Sequence, residues 1–105
     1  MYTTCILPKS IYFEGEGDGL FQPDFPYFWM GYNIRSDLQA CEYLETYLSM
    51  LVIPLKLIDK KFYQLDTCFW PLLDGAVMYY PAAFNANSLQ LVENNLAKNK
   101  RLIVE

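Results

Sequence analysis

The sequence predicts an α+β fold built from two ββαβ modules, each a pair of strands, a helix and a closing strand. Three observations carry that prediction. Capping-box patterns open two helical segments, at Ser36-Asp-Leu-Gln39 and Asn87-Ser-Leu-Gln90, 51 residues apart. Apolar, β-branched or aromatic runs of strand length flank both helices. The first strands also rhyme: Asp18-Gly-Leu-Phe21 and Asp66-Thr-Cys-Phe69 share D-x-x-F, 48 residues apart, which reads as an internal repeat. The 105 residues make one domain, with module one over about 10–58 and module two over about 62–105.

In chain order, 18–22 and 27–32 read as strands joined by Gln22-Pro-Asp-Phe-Pro26, a turn with proline near each end. The first helix carries Leu38, Cys41, Leu44, Leu48 and Leu51 at helical spacing. Leu51 to Ile58 follows as a β-branched, apolar strand. In module two, strands over Thr67–Leu72 and Ala76–Tyr80 are separated by Asp74-Gly75, a hairpin signal. The second helix has Leu89, Val92 and Leu96 on one face, with Lys98, Lys100 and Arg101 near its negative pole. Arg101 to Val104 closes the module as a strand. Two modules leave two flanks open, and repeat folds cover such flanks with further units or by closing a ring.

Composition narrows the chemistry. With 53% apolar and 19% charged residues the chain folds, and it buries about 65% of its unfolded surface. It contains no histidine, which removes the side chain best suited to proton transfer near neutral pH and the commonest metal ligand. No Ser-His-Asp or Cys-His pair is completed within it. A net charge of −4 argues against nucleic acid as a partner. The charge is uneven: residues 1–45 hold seven acids and two bases, residues 46–105 five acids and six bases. Apolar runs such as 76–84 are far shorter than the ~20 residues that span a bilayer. Met1 to Lys9 lacks the pattern of a secretory signal. Cys5, Cys41 and Cys68 form no CxxC pair and read as reduced thiols of a cytoplasmic protein.

Chemistry concentrates in two places. Phe13-Glu-Gly-Glu-Gly-Asp-Gly19 sets three carboxylates at alternate positions among glycines. It fails as a phosphate loop, for want of a lysine and a following helix, and because carboxylates repel phosphate. As a calcium loop it has acids at the first, third and fifth positions, but Phe25 stands where the twelfth-position glutamate belongs. A site for a guanidinium or ammonium group and a plain solvated acidic turn are the other two readings. The second place is Phe62-Tyr-Gln-Leu-Asp-Thr-Cys-Phe69, where strand alternation sets Gln64, Asp66 and Cys68 on one face. Through the repeat, Asp18 and Asp66 would stand at equivalent edges of one central site, or Asp66 is simply a strand-end acid. Arg35 suits either a substrate carboxylate or an ion pair with Glu14, Asp18 or Asp37. Cys68, with no base beside it, reads as a small core residue.

These segments together resemble the amidinotransferase and dimethylarginine dimethylaminohydrolase family, guanidino-group-modifying enzymes of the pentein fold. The resemblance runs through Tyr12-Phe-Glu-Gly-Glu-Gly-Asp-Gly-Leu-Phe21, Gly31-Tyr-Asn-Ile-Arg-Ser-Asp37, Phe62-Tyr-Gln-Leu-Asp-Thr-Cys-Phe69 and Tyr79-Tyr-Pro-Ala-Ala-Phe84, in family order. It implies an incomplete α/β-propeller, two of five ββαβ modules. It implies that Glu14 (or Glu16, if the alignment slips) is the acid that partners a catalytic histidine. By the same resemblance Asp18 is the acid of that loop's motif, Arg35 the substrate-anchoring arginine and Asp66 the aspartate that binds the guanidinium. No cofactor or metal is implied.

Two departures stand out. Gln64 occupies the position of the catalytic histidine, and the family's nucleophilic cysteine falls beyond Glu105 and on none of Cys5, Cys41 or Cys68. By the same resemblance, part of the family's N-terminal substrate-binding segment is expected to fall outside these 105 residues. The expectation is a chain inactive by itself that retains at most weak binding of a guanidinium or arginine-like compound through Glu14, Asp18 and Asp66. The alternative is a non-catalytic module that self-associates or pairs with a complementary fragment through open sheet edges.

Overall fold

The computed structural model describes residues 7–105, so Cys5 and most of the segment tested for a secretory signal lie outside the described residues. Module one runs through a single helical turn α1 (Gly15–Asp18), β1 (Gly19–Phe21), β2 (Tyr27–Tyr32), α2 (Ala40–Leu48) and β3 (Leu51–Lys56). Module two has β4 (Phe69–Pro71), β5 (Val77–Tyr79), α3 (Ala86–Asn95) and β6 (Arg101–Ile103), with a 3-10 turn at Leu65–Thr67 ahead of its first strand. Each module makes one three-stranded sheet, in order β1-β2-β3 and β4-β5-β6. In both, the first pair is antiparallel and the second parallel. The parallel registers match across the repeat: Tyr27 faces Leu51 as Val77 faces Arg101. The two ββαβ units read from the sequence are therefore present. Among the described residues no helix is long and apolar enough to cross a membrane.

Two apolar clusters hold these layers. One lies between the modules, where Trp29, Ile53, Leu55 and Leu57 meet Phe69, Val77, Phe84 and Val92. The other packs Ala40 and Leu44 of α2 over Phe28, Met30 and Val52, with Leu7, Ile11 and Phe13 at its margin. Module two docks on the end of β3 by backbone pairing: Ile58 N–H donates to Ala83 O at 2.9 Å, and Leu57 bridges Phe84. Gln22 adds a buried polar staple. Its Nε2 donates to Leu72 O (3.0 Å) and Ala76 O (3.2 Å), and its Oε1 accepts from Trp29 Nε1–H (2.9 Å).

Several local expectations are corrected. The first helix begins at Ala40, not at a Ser36 cap, because the Ser36 hydroxyl is bonded elsewhere. Its buried stripe is Ala40 and Leu44, while Leu38 is exposed and Leu51 already belongs to β3. The second helix is capped by Asn85, whose side chain accepts from Ser88 N–H, two residues before the predicted opening. That helix ends at Asn95, so Lys98, Lys100 and Arg101 lie past its pole. Asp74 and Gly75 do form the hairpin turn, both with positive φ (62° and 76°), as a tight β-turn requires. Residues 65–67 form a 3-10 turn instead of strand, so the expected common face of Gln64, Asp66 and Cys68 does not exist.

Candidate functional site

The site forms where α1 meets the 3-10 turn at 65–67 and the segment between β2 and α2. Glu14 is the N-cap of α1, extended at φ −94° and ψ 90°, and its carbonyl accepts from Asp18 N–H at 2.8 Å. This single turn swings the acids apart instead of leaving them at alternate positions. Glu14 and Asp18 face inward, and Glu16 is exposed. The calcium reading fails with that geometry, since Glu14 and Asp18 spend their oxygens on protein donors. Among the described residues no three of His, Cys, Asp or Glu converge as metal ligands.

Asp18 is fully buried. Its Oδ2 accepts from the Ser36 hydroxyl at 2.6 Å and its Oδ1 from Leu65 N–H at 2.9 Å. Burial pushes its pKa above the ordinary carboxylate value, the two hydrogen bonds pull it back in part, and the charges of Glu14 and Asp66 add to the rise. Expected at the ligand, Asp18 is instead enclosed by protein, with no accessible surface to offer. Gly31 explains how it fits: a Cβ there would stand 2.8 Å from Asp18 Oδ1 and 2.9 Å from Leu65 Cβ.

Glu14 collects the remaining groups. Gln64 Nε2 donates to its Oε2 at 2.7 Å, and Arg35 approaches Oε1 at 3.3 Å. Of the ion-pair partners open to Arg35 in the sequence, Glu14 is the one it takes, with its guanidinium also 5.2 Å from the centre of the Tyr63 ring. Gly17 is required beneath this contact, because a Cβ there would run into the Gln64 carboxamide. Asp66 sits exposed on the 3-10 turn, near enough to Asp18 to raise its pKa. Gln64 and Glu14 therefore do meet, although they are 50 residues apart.

Cys68 is buried among apolar neighbours, its Sγ 3.5 Å from Leu65 O. Burial first, with the charges of Asp18 and Asp66, pushes its pKa up to about 12, so it carries no thiolate near neutral pH. Cys41, half-buried on α2, is raised as well, mainly by burial. Ser36 is the site residue that the sequence did not reveal as one. Its place in a capping-box pattern hid it, and only its position beside Arg35 hinted otherwise.

No family model matches the chain. It is 45% identical over 103 residues to the bifunctional arginine dihydrolase/ornithine cyclodeaminase AgrE of Nostoc sp., an alignment that covers 98% of this chain and 15% of that protein. It is 38% identical over 72 residues to the N(G),N(G)-dimethylarginine dimethylaminohydrolase of Mycobacterium tuberculosis, covering 69% of this chain and 23% of that one. Among solved structures, the substrate-bound N-terminal domain of ArgZ, a cyanobacterial arginine dihydrolase, superimposes with a TM-score of 0.90 at 45% identity. That match covers 94% of this chain and 36% of that domain. The chain thus spans a minor part of each of these proteins.

Proposed function

Since the chain belongs to the amidinotransferase and dimethylarginine dimethylaminohydrolase family, guanidino-group-modifying proteins of pentein fold, we propose that its site binds a guanidino compound without turning it over. The observation that carries this reading is the Gln64 Nε2 to Glu14 Oε2 bond of 2.7 Å. A carboxylate that would orient a histidine and stabilise its protonated form here holds an amide. The amide supplies the N–H but cannot take up or release a proton near pH 7, so general acid–base catalysis worth ~10²–10⁴-fold is forfeited. Among the described residues neither thiol is placed to attack: Cys68 is buried and protonated, and Cys41 packs on α2 with its Sγ 3.9 Å from Val52 O.

In this reading the exposed Asp66 carboxyl group meets the guanidinium, and Arg35 meets a ligand carboxylate once it leaves Glu14. Asp18 frames the site instead of touching the ligand. The covalent chemistry of the family, thiolate attack on a guanidinium carbon, needs a thiol at the Glu14–Gln64 pair and a proton carrier beside it, and in this reading Cys41, Cys68 and Gln64 supply neither. Incubation with arginine, methylated arginines and agmatine should yield no citrulline, ornithine or urea-type product, while calorimetric titration with arginine detects weak binding lost in Asp66→Asn. Turnover, or binding indifferent to that substitution, would sink the proposal.

A second reading has its own observation. Ile53 on β3 is 3% exposed beneath module two, whereas Ile103, at the matching place on β6, is 51% exposed. That open face suits a further ββαβ unit or a second copy of the chain, and the site would then serve assembly. Sedimentation of the 105-residue chain alone and with the remaining part of a relative's domain decides it: a lone monomer in both mixtures counts against assembly.

A further inference from the structure

We propose that Ser36 is the positioning residue of this site: its single hydroxyl closes a ring of hydrogen bonds that holds Glu14 against Gln64. The functional meaning rests on the guanidino-binding reading above, but the geometry is independent of it. Starting at Ser36, Oγ–H donates to Asp18 Oδ2 at 2.6 Å, and Asp18 Oδ1 accepts Leu65 N–H at 2.9 Å. Leu65 is covalently next to Gln64, whose Nε2 donates to Glu14 Oε2 at 2.7 Å. The ring closes where Glu14 N–H donates back to Ser36 Oγ at 2.9 Å. Three segments far apart in sequence are tied by it: 14–18, residue 36 and 64–65.

The chemistry of that corner is restrictive. The group must donate to a carboxylate and accept from a backbone N–H at once, two bonds from its own Cα, which a small hydroxyl does and a methyl or a carboxylate does not. Ser36 is buried at 3% exposure, so water does not easily replace it. It touches no ligand group itself. It acts through Glu14 and Asp18, fixing the backbone from which the Glu14 carboxylate reaches residue 64. The charged and titratable groups facing Asp18 are Glu14, Asp66 and the Cys68 thiol, with Arg35 on the far side of Glu14.

The test is NMR on the full chain with Ser36→Ala and Ser36→Thr. In the Ala variant the Gln64 Nε2 protons lose their downfield shift and exchange about fivefold faster or more, and the Asp18 carboxyl titrates at higher pH than in the unaltered chain. The Trp29 indole signal, set by Gln22, stays in place. Threonine, which retains a hydroxyl, restores both readouts. A Ser36→Ala chain with unchanged Gln64 signals and Asp18 midpoint overturns the proposal, as does a threonine variant perturbed as much as alanine. Should the alanine variant not fold, the unaltered chain suffices: the Glu14 backbone N–H must follow the Asp18 titration through Ser36, and its indifference overturns the proposal. Failure of arginine to bind would remove the guanidino reading while leaving these signals untouched.

Discussion

Replacing Gln64 with histidine tests the central contact directly. Gln64 Nε2 lies 2.7 Å from Glu14 Oε2, and an imidazole at that position brings an ionisable N–H to the same carboxylate. An opposite charge within reach raises a histidine by about one to three units. The lower end applies here, because the Glu14 side chain is 31% exposed and already shares its charge with Arg35. The expected value is thus about one unit above the ordinary 6.5. In the linkage, a raised folded-state pKa means stability contributed fully below the unfolded value and lost as pH rises through the folded one. Relative to the unaltered chain, Gln64→His should therefore gain up to about 1.4 kcal/mol on going from pH 9 to pH 6. The assays are imidazole proton titration by NMR and urea unfolding at both pH values. No product forms from arginine, since a proton carrier without a nucleophile does not complete the chemistry. A midpoint at or below 6.5 would refute the Glu14 pairing, and turnover would refute the assignment of incompetence.

Three further outcomes follow from named contacts. Gln22→Ala strands the buried Trp29 indole N–H and the carbonyl of Leu72, so urea unfolding should show a loss of about 3 kcal/mol, and Gln22→Glu more, with a loss under 1 kcal/mol refuting the staple. Asp18 has a raised pKa chiefly from burial, so its contribution to stability is present in acid and lost as pH rises through its folded value. The stability difference between the unaltered chain and Asp18→Asn should accordingly grow as pH falls toward 3.8, and a flat or opposite trend contradicts it. In native alkylation at pH 8, Cys41 should react before Cys68, whose thiolate fraction is on the order of 10⁻⁴. Equal labelling by mass spectrometry would show that Cys68 is accessible.

The succession of strands and helices was legible because its signals are local. Tyr27–Tyr32 is a run of five apolar or aromatic residues and one glycine, and it occupies the span that its pattern implies. The Asp74-Gly75 turn needs positive φ, which those residues tolerate best. Ser36 was misread for the opposite reason. A serine followed three residues later by glutamine satisfies a helix start on paper, but a buried carboxylate competes for the same hydroxyl, and its partner Asp18 is 18 residues away. The 65–67 turn escaped for a related reason. Strand alternation assumed a straight chain, whereas Leu65 and Cys68 both turn into the core, a spacing of three that a 3-10 turn provides.

The D-x-x-F repeat reached a sound conclusion through a false equivalence. Leu20 pairs with Trp29 and Phe69 with Tyr79, and Trp29 and Tyr79 match across the repeat by their strand registers. Leu20 is therefore the counterpart of Phe69, and Phe21, which is exposed, faces the other side of its sheet. The two aspartates are one residue out of structural register. Asp18 and Asp66 nevertheless approach each other, because module two docks with its 65–67 turn against α1, and Leu65 N–H is drawn to Asp18. Their proximity is a property of the interface between modules. It follows that disturbing the docking should separate Asp66 from Glu14 and Asp18 even where each module keeps its own sheet, whereas two aspartates related by the repeat alone would have no reason to part.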